Sequence, residues 1–165
     1  MAVIVHPFPP LYDTESRILI LGSFPSVKSR EQAFFYGHPQ NRFWKLIAAL
    51  TDSPVPQTID EKRALILSNH LALYDTIYSC EIVGSSDASI KNAVPTDLSP
   101  ILAGSKVTTI CCNGTKSWDL YMKYQFPRTG IPALKLPSTS PANAAFTLPR
   151  LITAWQEVLC GDRSQ

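Results

Sequence analysis

The run "RILILGS" (17–23) constrains the fold more than any other stretch, because it is short, continuously apolar and closed by Gly-Ser. A strand with one wet face alternates apolar and polar residues, whereas an unbroken apolar run belongs to a strand covered on both faces, as in a parallel sheet. The pattern returns in "KVTTICCNG" (106–114) and "IPALKLPSTS" (131–140), each emptying into a small polar loop. Helical periodicity lies around these runs. Residues 41–52 space Phe43, Trp44, Ile47 and Leu50 as one helix face does, with Asn41 as N-cap. Residues 59–71 carry Asp60 and Glu61 in a first turn, where the helix dipole favours acids. Helices are also expected over 96–104, capped by Thr96 or Asp97, over 115–125, and over 148–160, where Pro149 suits a first turn. Residues 72–82 fit strand or helix equally, and 83–97 reads as a polar loop. The order predicts an α/β protein, a three-layer α/β/α sandwich with a central, mainly parallel sheet. With 165 residues and no repeat or linker, a single domain over 1–165 is expected.

In such sheets ligands bind beyond the carboxyl ends of the strands. Those ends carry "GSFPS" (22–26), "CNG" (112–114) and "PSTSPAN" (137–143), rich in Ser, Pro and small residues and almost free of charge. Loops of this kind offer backbone N–H groups and hydroxyls, suited to phosphate oxygens and to the edge of a neutral ring. Phe24, between Ser23 and Pro25, is placed to stack on a planar ligand, and Lys28 and Ser29 to approach phosphate. A plain tight turn after a strand is the alternative. In "PSTSPANA" (137–144) two prolines fix the backbone around three hydroxyls and Asn143. Two such loops side by side suit a nucleic-acid backbone clamp, which positions without reading sequence. Lys28, Arg30, Arg42 and Lys116 add scattered positive charge to a chain of net charge +2.

Other chemistries are poorly supplied. The loop after the first strand has neither G-x-x-x-x-G-K-[ST] nor G-x-G-x-x-G. No G-x-S-x-G and no cysteine beside a His–acid pair is present, which argues against a hydrolase triad. Cys80, Cys111, Cys112 and Cys160 lack C-x-x-C spacing, and only His6, His38 and His70 are available to complete a metal site. A metal site therefore lacks its usual ligand spacing. The thiols read as buried and reduced, which implies a reducing compartment and a cytoplasmic, bacterial-type cytosol or nucleoid setting. No apolar run approaches the ~20 residues of a membrane span, and the N-terminus has no signal-peptide pattern. Of the few acids, Asp87 reads as solvated in its loop, and Asp75, flanked by apolar residues, as a structural group that needs a partner if buried.

Together, "GSFPSVKSREQAFFYGHPQNRFWKLI" (22–47) and "LPSTSPANA" (136–144) resemble the uracil-DNA glycosylase superfamily. The "GSFPS" form, the "STSPAN" ending and the intervening "LYDTIYSCEIVGSSDASIKNAVPTDL" resemble its hypoxanthine-DNA (DNA-deoxyinosine) glycosylase branch in particular. The resemblance implies a uracil-DNA glycosylase-like sandwich on a four-stranded parallel sheet, the fourth strand falling within 72–83. It implies a monofunctional base-excision repair enzyme that flips a deaminated nucleotide out of DNA and hydrolyses its glycosidic bond without metal or cofactor. DNA containing deaminated bases is the expected partner, with no membrane association and a monomeric enzyme. Relatives that excise uracil carry an Asp or Asn in the first motif, where this chain has Ser23 and Phe24, so efficient uracil excision is put in doubt. The matching polar group in the hypoxanthine branch is Asn41.

On that resemblance Asn41 positions the attacking water, and His38 is the rival catalytic group, donating to the departing base or a phosphate. Ser23, Phe24, Tyr36 and Gly37 form the base pocket, and Asn113 reads the base edge, a turn asparagine being the alternative. Pro25, Ser26, Lys28 and Ser29 on one side, and Ser138, Thr139, Ser140, Pro141 and Asn143 on the other, contact DNA. Residues 142–145 wedge into the duplex. Arg42 offers a phosphate contact, and Phe43 and Trp44 anchor the helix in the core. Three alternatives stand beside this reading: a uracil or mismatch-type glycosylase, an inert nucleic-acid-binding module, and an enzyme acting on a free nucleoside or other small metabolite.

Overall fold

The structure is a computed structural model, and it describes residues 2–160; Met1 and residues 161–165 of the expected domain lie outside those described. The chain order is β1 (Val3–Val5), β2 (Ile18–Gly22), α1 (Val27–Gln32), α2 (Phe43–Leu50), α3 (Ile59–Ser68), β3 (Leu71–Asp75) and β4 (Ile77–Glu81). A 3-10 turn (Asp87–Ser89), β5 (Lys91–Pro95), α4 (Ser99–Ala103), β6 (Thr109–Asn113), α5 (Thr115–Leu120), a π-helical turn (Tyr121–Gln125), α6 (Phe126–Thr129), β7 (Ala133–Leu136) and α7 (Leu148–Leu159) follow. The expected three-layer α/β arrangement is present. The strands β3-β2-β6-β7 form one sheet whose pairs are all parallel. Every residue of β2 and β3 is buried, so both faces of the central strands are covered. Leu19, Ile20, Leu21, Leu73, Ile110, Cys111 and Cys112 have essentially no exposed surface and form the middle of the core with Phe43, Leu46, Ile47 and Trp155.

The fourth parallel strand lies in the segment that periodicity left open: 72–82 is two strands, β3 and β4, turning at Thr76. A second, antiparallel sheet β1-β4-β5 was not expected. It includes β5, where the sequence reads as a loop, and β1, three residues with an exposed pattern that no periodicity can show. The helix expected over 115–125 breaks into α5, the π-helical turn and α6, with the buried Gln125 amide donating to the Thr76 and Thr96 carbonyls. Helix α2 begins two residues later than expected, and the Asn41 side chain accepts the Phe43 N–H at 2.9 Å. Thr96 is fully buried and its hydroxyl donates to the Asp75 carbonyl, so it is Asp97 that accepts the Ser99 N–H ahead of α4. The four cysteines are free, Cys160 being only half-buried.

Candidate active site

The sheet order places β2, first of the four in the chain, between β3 and β6, which makes the carboxyl end of β2 a topological switch point. A cavity of about 280 Å³ opens there, near the small end of the ~300–1,000 Å³ range for ligand pockets. All four parallel strands supply its lining: Gly22 to Ser26 after β2, Asp75 ending β3, Asn113 ending β6, and Ser138 to Ala142 after β7. Tyr36, His38 and Asn41 come from the segment entering α2.

Asn41 and Asn113 meet through Thr139. The Thr139 backbone N–H donates to Asn113 Oδ1 at 3.0 Å, and Asn113 Nδ2 donates back to Thr139 Oγ1 at 3.0 Å. Thr139 Oγ1 in turn donates to Asn41 Oδ1 at 2.8 Å, the same oxygen that accepts the Phe43 N–H. Two backbone donors thus fix both amide orientations, since an N–H can face only an oxygen. Both lone pairs of Asn41 Oδ1 are engaged, and Nδ2 is the group left over. His38 Nδ1 accepts the Gln40 N–H at 3.1 Å, which assigns the ring proton to Nε2. The neutral groups here that carry spare hydrogens are therefore donors.

Acidic groups stand opposite. Asp75 is buried, with Oδ2 2.7 Å from His6 Nε2, while His6 Nδ1 donates to the Phe8 carbonyl at 2.8 Å. His6 reaches this position because β1 pairs with β4, the strand that follows β3. Ser23 Oγ donates to Asp87 Oδ1 at 2.7 Å, drawing the Asp87 carboxylate to the cavity although the residue keeps solvent contact. Desolvation raises the Asp87 pKa, the Ser23 hydrogen bond partly offsets this, and the nearby Asp75 charge raises it further. Tyr36 adopts a left-handed backbone at φ 52° and stacks on Phe43 with ring centroids 4.0 Å apart. Its hydroxyl is buried beside the Asn113 side chain without a well-formed hydrogen bond; burial first, then the Asp75 charge, push its pKa far up, and the Asn113 contact partly offsets them. Burial pushes the Cys112 thiol up to about 12, so it is no nucleophile.

The expected site residues separate under this geometry. Ser23, Phe24, Pro25, Ser26, Ser29, Tyr36, His38, Asn41, Asn113, Ser138, Thr139, Ser140 and Pro141 line the cavity; Gly37, Lys28 and Asn143 do not. Phe24 shows 6% of its surface and packs against Ile77 and Cys80, with the Arg30 guanidinium over its ring. Gly37 donates its N–H to Ser29 Oγ, and the buried Ser29 side chain is enclosed by that bond and by Ser26, which removes it from phosphate contact. Lys28 lies outside, beside Glu31 at 3.5 Å. Thr139 is fully buried, so the DNA contact expected of it is replaced by the bridge between the two amides. Arg42 is likewise turned inward: its guanidinium donates to the carbonyls of Thr139, Ser140, Asn143 and Phe146, which binds the second motif to α2. Phe43 and Trp44 are buried core anchors, as expected. Sequence reasoning missed Gly22, Asp75 and Asp87 as cavity groups, and His6 as the partner behind Asp75, although an acid ending a continuously apolar strand is a readable signal. Among the described residues no group of three or more His, Cys, Asp or Glu is placed to hold a metal, and no helix is long and apolar enough to cross a membrane.

Residues 9–159 match the family model described as the uracil DNA glycosylase superfamily, and the chain belongs to that superfamily. Within it, the chain is 30% identical over 158 residues to a protein of Methanosarcina acetivorans named hypoxanthine DNA glycosylase, covering 94% of this chain and 98% of that one. A Methanosarcina barkeri protein of the same name is 34% identical over 87 residues, about half of each chain. A solution NMR structure from Methanosarcina acetivorans, assigned provisionally as a uracil DNA glycosylase, superposes with a TM-score of 0.78 at 30% identity, covering 92% of this chain and 94% of that one.

Proposed function

We propose that this protein is a monofunctional DNA glycosylase that removes hypoxanthine, the deamination product of adenine, from DNA and leaves an abasic site. The observation that carries the reading is the pair of amides bridged by Thr139, which leaves Asn41 Nδ2 at the entry to α2 and Asn113 Nδ2 at the end of β6 as donors. Hypoxanthine presents O6 and N7, both acceptors, where adenine presents an N6 amino donor beside N7. A donor opposed to that amino group leaves buried N–H groups unpaired, at a cost of ~1–3 kcal/mol each. Hypoxanthine is thereby accepted and adenine refused; guanine, which shows the same O6 and N7, is not set apart by these two donors. The full-length similarity to a relative named for this activity supports the same reading.

In this reading the nucleotide enters the cavity flipped out of the duplex. Asn41 Nδ2, Asn113 Nδ2 and His38 Nε2–H stabilise negative charge as it builds on the departing purine. Ser138 Oγ and Ser140 Oγ each accept a loop N–H and so keep their own protons to donate to backbone phosphates. Asn143, whose amide donates to the Ser138 carbonyl, shapes that loop. Residues 142–145 form its exposed tip, the part that enters the duplex. Uracil also presents oxygen acceptors, so uracil excision is the second reading, favoured by the same donor face.

Single-turnover excision from duplexes carrying deoxyinosine, deoxyuridine or normal deoxyadenosine tests this. Hypoxanthine release by the wild type is expected, with Asn41→Ala slowed at least ~10²-fold while abasic-site binding persists. Binding without release of any base would establish the inert module instead. His38→Gln, compared on the same duplexes, measures how much of the leaving-group stabilisation is the histidine's.

A further inference from the structure

A glycosylase of this kind must deprotonate water and face a sugar that becomes cationic, yet the expected water-holding atom, Asn41 Oδ1, already accepts two hydrogen bonds. Asp75 Oδ1 is the buried acceptor that remains. The other oxygen of that carboxylate is held by His6 Nε2, whose ring is itself fixed by the Phe8 carbonyl. Oδ1 has no partner among the described residues, and the side chain keeps 6% of its surface on the cavity it lines. Oδ1 packs close against residue 22, an approach that glycine allows: a methyl group there would lie 2.4 Å from Asp75 Oδ1 and 3.4 Å from the Tyr36 hydroxyl. A carboxylate oxygen and a poorly satisfied hydroxyl thus both approach Gly22 at the topological switch point, where a water bound between them would have two polar neighbours.

Resting on the glycosylase reading above, we infer that Asp75, oriented by His6, is a catalytic carboxylate of this enzyme and that Tyr36 holds the attacking water against it. The water oxygen bonds to C1′ as the C1′–N9 bond breaks, and that electron pair leaves with the purine. Asp75 Oδ1 takes one water proton and later returns it to solvent, and the purine anion gains one. One water is consumed per base released. Until the bond to water forms, the carboxylate also stabilises the positive charge on the sugar. The acid absent from "GSFPS" is supplied by the neighbouring strand, in register with Gly22.

Abasic duplexes test this without depending on which base is removed. A pyrrolidine abasic analogue carries the positive charge of the sugar in the transition state, and a tetrahydrofuran analogue does not. The wild type is expected to bind the pyrrolidine duplex tighter by ~10-fold or more, as transition-state mimics are bound. Asp75→Asn, whose amide can hydrogen-bond His6 Nε2 in either sense, should bring the two affinities within about twofold and slow excision by ~10²-fold. Asp119→Asn, exposed and away from the cavity, should keep the preference. A wild type that binds both duplexes equally overturns the inference, as does a preference retained by Asp75→Asn or abolished by Asp119→Asn. Failure of the wild type to release hypoxanthine counts against the proposed substrate and leaves the affinity ratio to judge Asp75.

Discussion

Thr139 has one hydroxyl proton, and Asn41 Oδ1 receives it. That bond and the return bond from Asn113 make the residue a positioning group for two side chains it separates in space. Thr139→Val, equal in shape, should slow single-turnover excision ~10- to 100-fold and weaken discrimination against adenine, because Asn41 Oδ1 loses one of its two donors and Asn113 Nδ2 loses its acceptor while the backbone bonds remain. Thr139→Ser keeps the hydroxyl and should restore the rate to within ~3-fold; equal loss in both variants would remove the relay from the mechanism. Tyr36 offers a second residue-scale test. Its buried hydroxyl is poorly satisfied, with only a weak contact to the Asn113 side chain, so Tyr36→Phe should stay within ~1 kcal/mol of the wild type in urea unfolding while excision declines. Asn41 was legible as a candidate through the resemblance carried by "HPQN", and Asn113 through its place at the end of a buried strand. Their orientation was not legible, because it depends on an oxygen roughly a hundred residues away from Asn41.

Helix α2 and the loop 137–146 act as one unit through Arg42, whose planar fork serves four loop carbonyls. Lysine is a point charge and cannot hold them together. Arg42→Lys should therefore raise amide exchange across 138–146 and weaken abasic-DNA binding, with about 1.5–3 kcal/mol lost, leaving α7 protected. Helix α3 is more self-sufficient: Thr58 and Glu61 form a complete capping box. Thr58→Ala should cost ~1 kcal/mol, read as a melting temperature ~2–4 °C lower. Elements with such local signals were readable to within a few residues, as at 59–68 and 148–159. The small antiparallel sheet was not, since β1 and β5 are short, mostly exposed, and defined only by pairing with β4. Missing β1 also hid His6, and with it the partner that Asp75 was expected to need.

At the scale of the molecule, building the cavity carries a stability cost that pH can reveal. Desolvation raises the Asp87 pKa in the folded state, so the native protein holds that proton more tightly than the unfolded chain does. The stabilisation this gives is complete below the unfolded value and disappears as pH rises through the folded one. Asp87→Asn should therefore gain stability relative to the wild type at neutral pH, with the difference closing on acidification, as measured by urea unfolding across the range. The sequence by itself determined the parallel sheet, the principal helices and the two polar motifs, because apolar runs, periodicity and caps are local and act through near neighbours. Only the tertiary structure decided that Asp75 and Gly22 adjoin, that His6 reaches them, and that Thr139 and Arg42 are turned inward. Those facts depend on strand register and on contacts between distant segments, and a buried hydrogen bond leaves no periodic trace in the chain that makes it.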